Sequence, residues 1–368
     1  MTNQGRSNVT TADRSAAGPA RLVLRQIGSR LSGDDRAALA LLALTLVLIL
    51  CSGWISPALG SWSQVRSTLV LSTFIMLVGF GQQTVMLTGG LDLSVPSMVT
   101  LGAVALFSWV GPDLTALAWG VPAVLALCAA VGAINGVCVA LLRVPSFIMT
   151  LAMGMIVSSA LLGVTGGSPQ GAAAPAVVAL FASNWFGVPP VVYLMAVFTA
   201  LAVVWQRRTA FGRMVYAIGT SAEAARIAGL PVARVTVLCY AISGAAAGAA
   251  GVLYVGFSGG ATLDTGQDIL IPTIAAVVVG GTAIVGGRGS YLGVVGGALL
   301  LTTLSILVTA LGVGAGWRAV LYGSVILIAL LTLQGNIRAW TRRSPQTLGP
   351  DKRPGAHEPS TRKQKESP

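Results

Sequence analysis

The chain has 368 residues, of which 54% are hydrophobic and 9% charged, with a mean hydropathy of +0.81. That balance excludes an ordinary soluble domain and makes a lipid bilayer the expected solvent. The net charge of +12 raises nucleic acid as a partner, but the basic residues sit in tails and loops beside apolar runs, so membrane topology accounts for them and no nucleic-acid partner is expected.

Taken in order, residues 1–37 are rich in Arg, Ser and Gly and read as a flexible basic tail with no cleavable signal, so the first apolar run is expected to be retained. Apolar stretches bounded by Gly, Pro or charge then predict ten spans, near 38–58, 67–87, 95–110, 116–141, 146–164, 189–205, 235–257, 267–286, 291–312 and 318–335. Residues 38–335 would form one all-α membrane domain, and 336–368 a second basic tail. With both termini in the cytoplasm, 21 of the 23 basic residues fall inside and only Arg66 and Arg318 outside. The positive-inside rule therefore selects N-in, C-in.

The four cysteines, Cys51, Cys128, Cys138 and Cys239, lie inside apolar runs without metal-site or disulfide spacing, and read as small buried residues. The single histidine, His357, is in the C-terminal tail, which removes a histidine base, a Ser-His-Asp triad and a histidine metal site from the membrane. No metal site and no catalytic residue is expected. In the Gly- and Ala-rich run from Gly244 to Gly251, small side chains let helix backbones approach closely in lipid.

Three segments carry functional signals. In Thr88-Gly-Gly-Leu-Asp-Leu-Ser-Val-Pro-Ser97, Gly89 and Gly90 can end one helix, Asp92 or Ser94 can cap the next, and Pro96 fits its first turn. This reads as a broken helix, either a simple cap at the rim or part of a solute pathway, since buried irregular backbone and a buried acid need protein or water around them. Between 206 and 234, Ser221 as N-cap, helix formers to Ala228, then Gly229 and Pro231 predict a short cytoplasmic helix. Around Arg288, Gly286, Gly287 and Gly289 form either a tight packing turn or a gating turn. Asp264 and Asp268 read as solvated or as facing an external partner, and Trp54, Trp185 and Trp317 as interfacial anchors.

The run Ala217-Ile-Gly-Thr-Ser-Ala-Glu-Ala-Ala-Arg-Ile-Ala-Gly-Leu-Pro-Val232 resembles the coupling segment of permease subunits in bacterial ABC sugar importers of the ribose, xylose and galactose class. The Gly pair followed by Asp92 and Ser94, and the glycine-rich stretch Thr273 to Ser290, resemble two further signatures of that family in the same order. The resemblance covers about residues 40–335, with Pro96, Ser221 and Ala283 as departures from the usual residues. It implies that Ser221, Glu223, Ala224, Ala225, Arg226 and Gly229 belong to a coupling helix. It also implies a pair of permeases in the bacterial inner membrane, cytoplasmic ATPase subunits, and an extracytoplasmic solute-binding protein.

The chain has no GxxxxGK[ST] phosphate loop, so ATP would be bound and hydrolysed in a partner subunit and the permease itself needs no cofactor. The rival reading is an ion-coupled secondary transporter. That class also uses broken helices, but it would leave the coupling-like segment without a role.

Overall fold

The computed structural model describes residues 33–55, 59–312, 314 and 316–328. The chain divides into two units after Leu327, and all of the second but Ile328 lies outside the described residues, as do both expected tails and the end of the last expected span. The described residues are helical, with no strand beyond an isolated bridge between Trp185 and Val188.

Seven helices are long and apolar enough to cross a membrane: α1 (Gly33–Ile55), α2 (Trp62–Leu87), α4 (Leu114–Ala140), α5 (Ser146–Thr165), α7 (Pro190–Arg208), α10 (Val232–Ser258) and α12 (Tyr291–Ala310). Three shorter apolar segments fall where spans were also expected. They are α3 (Val95–Val104), which continues as a π-helical turn over Ala105–Val110; a 3-10 turn at Gln267–Ile269 leading into α11 (Leu270–Val279); and α13 (Gly316–Ile328). At 1.5 Å per residue, Val95–Val110 reaches only about 24 Å, short of a hydrocarbon layer of about 30 Å.

The remaining helices are α6 (Pro175–Ala182), α8 (Ala210–Thr220) and α9 (Ala222–Ile227). Neither α6 nor α8 was expected. The α8 helix exists because Gly212, Val215 and Ile218 share one face and bury it, while Thr209 Oγ1 caps its start by accepting from Gly212 N at 3.1 Å.

One expected boundary is corrected. The span placed at 267–286 ends at Val279, because Gly280 caps the helix and Gly281, at φ 89°, turns the chain out of it. Thr282 N then returns to Val277 O at 3.1 Å and Gly281 N to Val278 O at 3.0 Å, which closes the C-terminus by the usual pair of reversed bonds. The apolar residues after it belong to a turn.

The core lies around α2. Its most apolar 18-residue stretch is 83% buried, against 17% for the spanning part of α1, and it packs on α10, α12, α11 and α7. On one side α10 gathers α3, α4 and α6; on the other α12 gathers α1 and α11. The small residues of α10 make the first cluster possible: added side chains at Gly244 and Gly251 would run into the carbonyls of Cys128 on α4 and Val99 on α3. The expectation of close helix contact there holds.

Candidate functional site

The break between α2 and α3 is built from its caps inward. Gly89 takes φ 84°, which Cβ-bearing residues adopt at a cost, and Gly89 N and Gly90 N return to Met86 O (2.9 Å) and Val85 O (3.2 Å) to end α2. Residues 90–94 are then non-helical and α3 begins with Pro96 in its first turn. The expected side-chain N-cap is absent. Ser94 sits at the cap position without a capping bond, and its amide and hydroxyl instead turn back to Asp92 Oδ1, at 3.0 and 2.6 Å.

Asp92 is fully buried. Its other oxygen accepts from Ser243 Oγ on α10 at 2.7 Å, so three donors from two elements hold the acid in place. Ser94 Oγ in turn accepts from Asn135 Nδ2 on α4 at 3.1 Å, while Asn135 Oδ1, also buried, has no partner among the described residues. These bonds offset the cost of burying a carboxylate in an apolar bundle.

The backbone of the break is satisfied by α5. Leu91 N donates to Ser146 Oγ (3.2 Å), Leu93 N donates to Thr150 Oγ1 (2.9 Å), and Ser97 Oγ donates to Gly154 O (2.8 Å) with Ser158 Oγ at 2.9 Å. Buried amides outside a helix need such partners, and α5 supplies them from positions four residues apart along one face.

The short helix α9 follows the reading of its caps. Ser221 Oγ accepts from Ala224 N at 3.2 Å, and Gly229, at φ 81°, with Leu230 N bonded to Ala225 O at 3.0 Å, ends it. Glu223 and Arg226 are exposed and pair at 2.9 Å. Ser221, Ala224 and Gly229 are exposed as well, whereas Ala225 is buried. Ala225 therefore faces inward, in one apolar cluster with Val215 and Ile218 of α8, Val85 and Leu87 of α2, and Tyr240 of α10. The face of α9 left free carries Glu223, Arg226 and Ile227.

The glycine turn meets the other two segments at one point. Gly287 N donates to Leu87 O at 2.9 Å, where α2 ends. Gly219, in the last turn of α8, lies so close that an added Cβ would collide with both Leu87 O and Gly287 N. Gly286 would likewise press on Gly89 N at 2.9 Å. Tyr216 Oη donates to Gly289 O at 2.6 Å, and Gln83 Nε2 reaches Thr282 Oγ1 at 3.1 Å. Arg288 is exposed and takes no part in the crossing. Three segments that are far apart in sequence thus touch backbone to backbone.

Two cavities flank the break. One, of about 970 Å³, is lined by Gly89, Gly90 and Ser146 together with Arg143, Arg226 and Arg234 from around α9. The other, of about 520 Å³, is lined by Ser97, Thr100 and Ser158 together with Thr262, Asp264 and Gln267. Asp264 accepts from Gln267 Nε2 at 2.7 Å; Asp268 lines neither of these two cavities.

The sequence reading missed Ser146, Thr150, Asn135, Ser158, Ser243 and Gly219. Their signal was a polar or small residue at regular helical spacing in an apolar run, which marks close packing as often as a site.

A family model described as "Branched-chain amino acid transport system / permease component" matches residues 64–330. The chain is 35% identical over 216 residues to the ribose import permease protein of Escherichia coli, covering 57% of this chain and 66% of that one. It is 31% identical over 214 residues to the L-arabinose transport system permease protein of the same species, covering 58% and 64%. The chain thus spans about two thirds of the length of these sugar permeases. A probable ABC transporter permease protein of Sinorhizobium fredii is 30% identical over 329 residues, covering 88% of this chain and 96% of that protein. No solved structure matches significantly. On the extent of the model match and of the last relative, the chain belongs to this family of transport-system permease components.

Proposed function

We propose that the chain is the membrane-spanning subunit of an ATP-driven importer and forms the translocation pathway for a sugar or a related small polar solute. It crosses the bacterial inner membrane ten times with both termini in the cytoplasm, the seven long helices each making one passage and the three short apolar segments each completing one together with the non-helical chain beside it. Residues 38–335 make the membrane domain, flanked by basic tails. It works as a pair with a second copy or a homologue, on cytoplasmic ATPase subunits, and receives solute from an extracytoplasmic binding protein. It is not itself an enzyme.

The observation that carries this reading is the junction of the exposed α9, the end of α2 and the glycine turn. A push on α9 reaches the end of α2 through the cluster that holds Ala225 and Leu87, and Gly287 and Gly219 close on Leu87 O backbone to backbone. Rigid elements with a bistable contact are what convert partner motion into a change of access. Glu223, Ala224, Arg226 and Ser221 lie on the partner side, and Gly286, Gly287 and Gly289 transmit. The sugar relatives favour a polyol over the amino acid in the family description.

The test is reconstitution in proteoliposomes with and without candidate ATPase and binding-protein partners, measuring uptake of ribose, arabinose and leucine. ATP-dependent uptake of a sugar that needs both partners is the expected result. Uptake by the chain alone, driven by a proton or sodium gradient, overturns it in favour of a secondary transporter.

A further inference from the structure

A cavity of about 300 Å³ lies apart from the break, against α2, α11, α12 and α13. Its wall is aliphatic, made by Leu71 and Ile75 of α2, Ile271 of α11 and Ile306 of α12. Its rim carries one charge of each sign: Asp268, in the 3-10 turn before α11, and Arg318, in the first turn of α13. Neither charge has a hydrogen-bond or ion-pair partner among the described residues.

We infer that this cavity seats one aminophospholipid, with its phosphate on Arg318, its ammonium on Asp268 and its acyl chains along the aliphatic wall. The inference goes beyond the importer reading, which gives these residues no role; the proposed topology serves only to place the site in the outer leaflet.

The position of Arg318 calls for an anion. A cation in the first turn of a helix meets the positive end of the dipole and the unpaired amides there, and an anion bound between them turns repulsion into two attractions. Arg318 is also one of the two basic residues that the positive-inside count leaves outside, so topology gives no reason for it.

Thr302 of α12, on the cavity wall, is 4% exposed, and its Oγ1 has no partner among the described residues. A buried hydroxyl without a partner is costly, and a headgroup ammonium or ester oxygen supplies the missing bond.

The level in the membrane fits as well. Trp317, next to Arg318, is exposed, as an aromatic at the headgroup level is. Gln267–Val279 rises only about 20 Å against a hydrocarbon layer of about 30 Å, and so short a segment draws headgroups inward by local thinning.

Charge then selects among lipids. An anionic phospholipid satisfies Arg318 but sets a like charge against Asp268. A trimethylated headgroup keeps its positive charge but has no N–H to donate to the carboxylate, whereas a primary ammonium has three. A free zwitterion matches the rim and leaves the aliphatic wall against water.

The experiment uses the full chain alone, purified in mild detergent and stripped of lipid. Phosphatidylethanolamine, phosphatidylglycerol, phosphatidylcholine and free phosphoethanolamine are titrated in turn, with bound molecules counted by native mass spectrometry and the thermal midpoint followed in parallel. One ethanolamine lipid per chain is expected to bind in preference to the other three. Asp268→Asn should remove the preference over phosphatidylcholine, and Arg318→Gln should weaken all three lipids. Each loss should be about tenfold, as for one charge-assisted hydrogen bond.

Thr302→Val supplies a measurement that leaves both charges in place. Its lipid-free midpoint is expected to hold or rise, because an unpaired hydroxyl is removed, while affinity for the ethanolamine lipid falls. Equal binding of ethanolamine and glycerol lipids by the unaltered chain overturns the site, as does phosphoethanolamine binding as tight as the lipid. If Asp268→Asn and Arg318→Gln both lower the lipid-free midpoint and added lipid moves neither, the two charges pair with each other and the site is also overturned. Binding is read on the chain alone, so its failure leaves the importer reading standing, and failure of ATP-driven uptake leaves the lipid site standing.

Discussion

The break and the glycine junction lie at neighbouring points of the chain and are held together by opposite means. At the break, residues 91–97 meet α5 through side-chain hydroxyls, each of which can rotate, exchange its partner or accept water. At the junction, Leu87, Gly219 and Gly287 meet backbone to backbone with no room for a methyl group. Side-chain hydrogen bonds tolerate separation and steric interlock does not. The junction is therefore the stiffer of the two contacts and the break the one more easily parted.

The sharpest way to break that comparison is Gly219→Val. The new side chain has to enter space held by the Leu87 carbonyl and the Gly287 amide, neither of which is a flexible tip. Overpacking of this kind costs about 1–3 kcal/mol, and more where backbone must shift. Low yield and a lower thermal midpoint in detergent are expected, with uptake lost. A wild-type midpoint would mean that the three backbones do not cross there.

Next comes Asp92. Asp92→Leu strands the Ser94 amide and leaves two hydroxyls to find other acceptors. A buried donor without a partner costs about 1–3 kcal/mol. Asp92→Asn keeps one oxygen acceptor and should lose less, so the expected order of thermal midpoints is wild type, Asn, Leu. Equal midpoints for the two variants would show that the acid is not bonded as described.

Thr150→Val probes the contact between the break and α5. It keeps the shape, removes the acceptor of Leu93 N and affects a single amide, so a loss near the lower end of about 1–3 kcal/mol is expected. If this contact parts in transport, the freed amide also changes the uptake KM more than the expression level. An unchanged midpoint and unchanged KM would remove Thr150 from both roles.

How much of this was legible in the sequence follows the same divide. The break was legible because Gly89-Gly90 and Pro96 each impose a local backbone rule, and α9 because Ser221 and Gly229 do. The same local rule was available at Gly280-Gly281 and went unread, since the apolar residues on either side extended the expected span to 286. The α8 helix was hidden by Arg207, Arg208 and Arg213, although Phe211, Val215 and Ile218 have helical spacing.

The junction and the contact of the break with α5 were not legible at all. Gly219, Gly287 and Leu87 are brought together only by tertiary packing. A hydroxyl every fourth residue on α5 says that a close neighbour exists, not that the neighbour is a broken helix. The side-chain cap expected from Asp92 or Ser94 failed for a related reason: Ser243, more than a hundred residues away, offered the acid a better-shielded partner.

The smallest expected effect on folding separates structure from coupling. Glu223 is exposed and, among the described residues, pairs with Arg226, three residues on. Exposed ion pairs of this kind contribute little, because solvent screens them and ordering two long side chains offsets the attraction. Glu223→Arg is therefore expected to leave the thermal midpoint and membrane insertion where they are. It places another positive charge beside Arg226, which lines the α9-side cavity with Arg143 and Arg234, on the surface proposed to meet the ATPase. ATP hydrolysis should then proceed without matching uptake, or the ATPase should dissociate on purification. Normal uptake per ATP from normally expressed Glu223→Arg protein would remove α9 from the drive train, and with it the reason to regard the rigid junction behind it as a transmission.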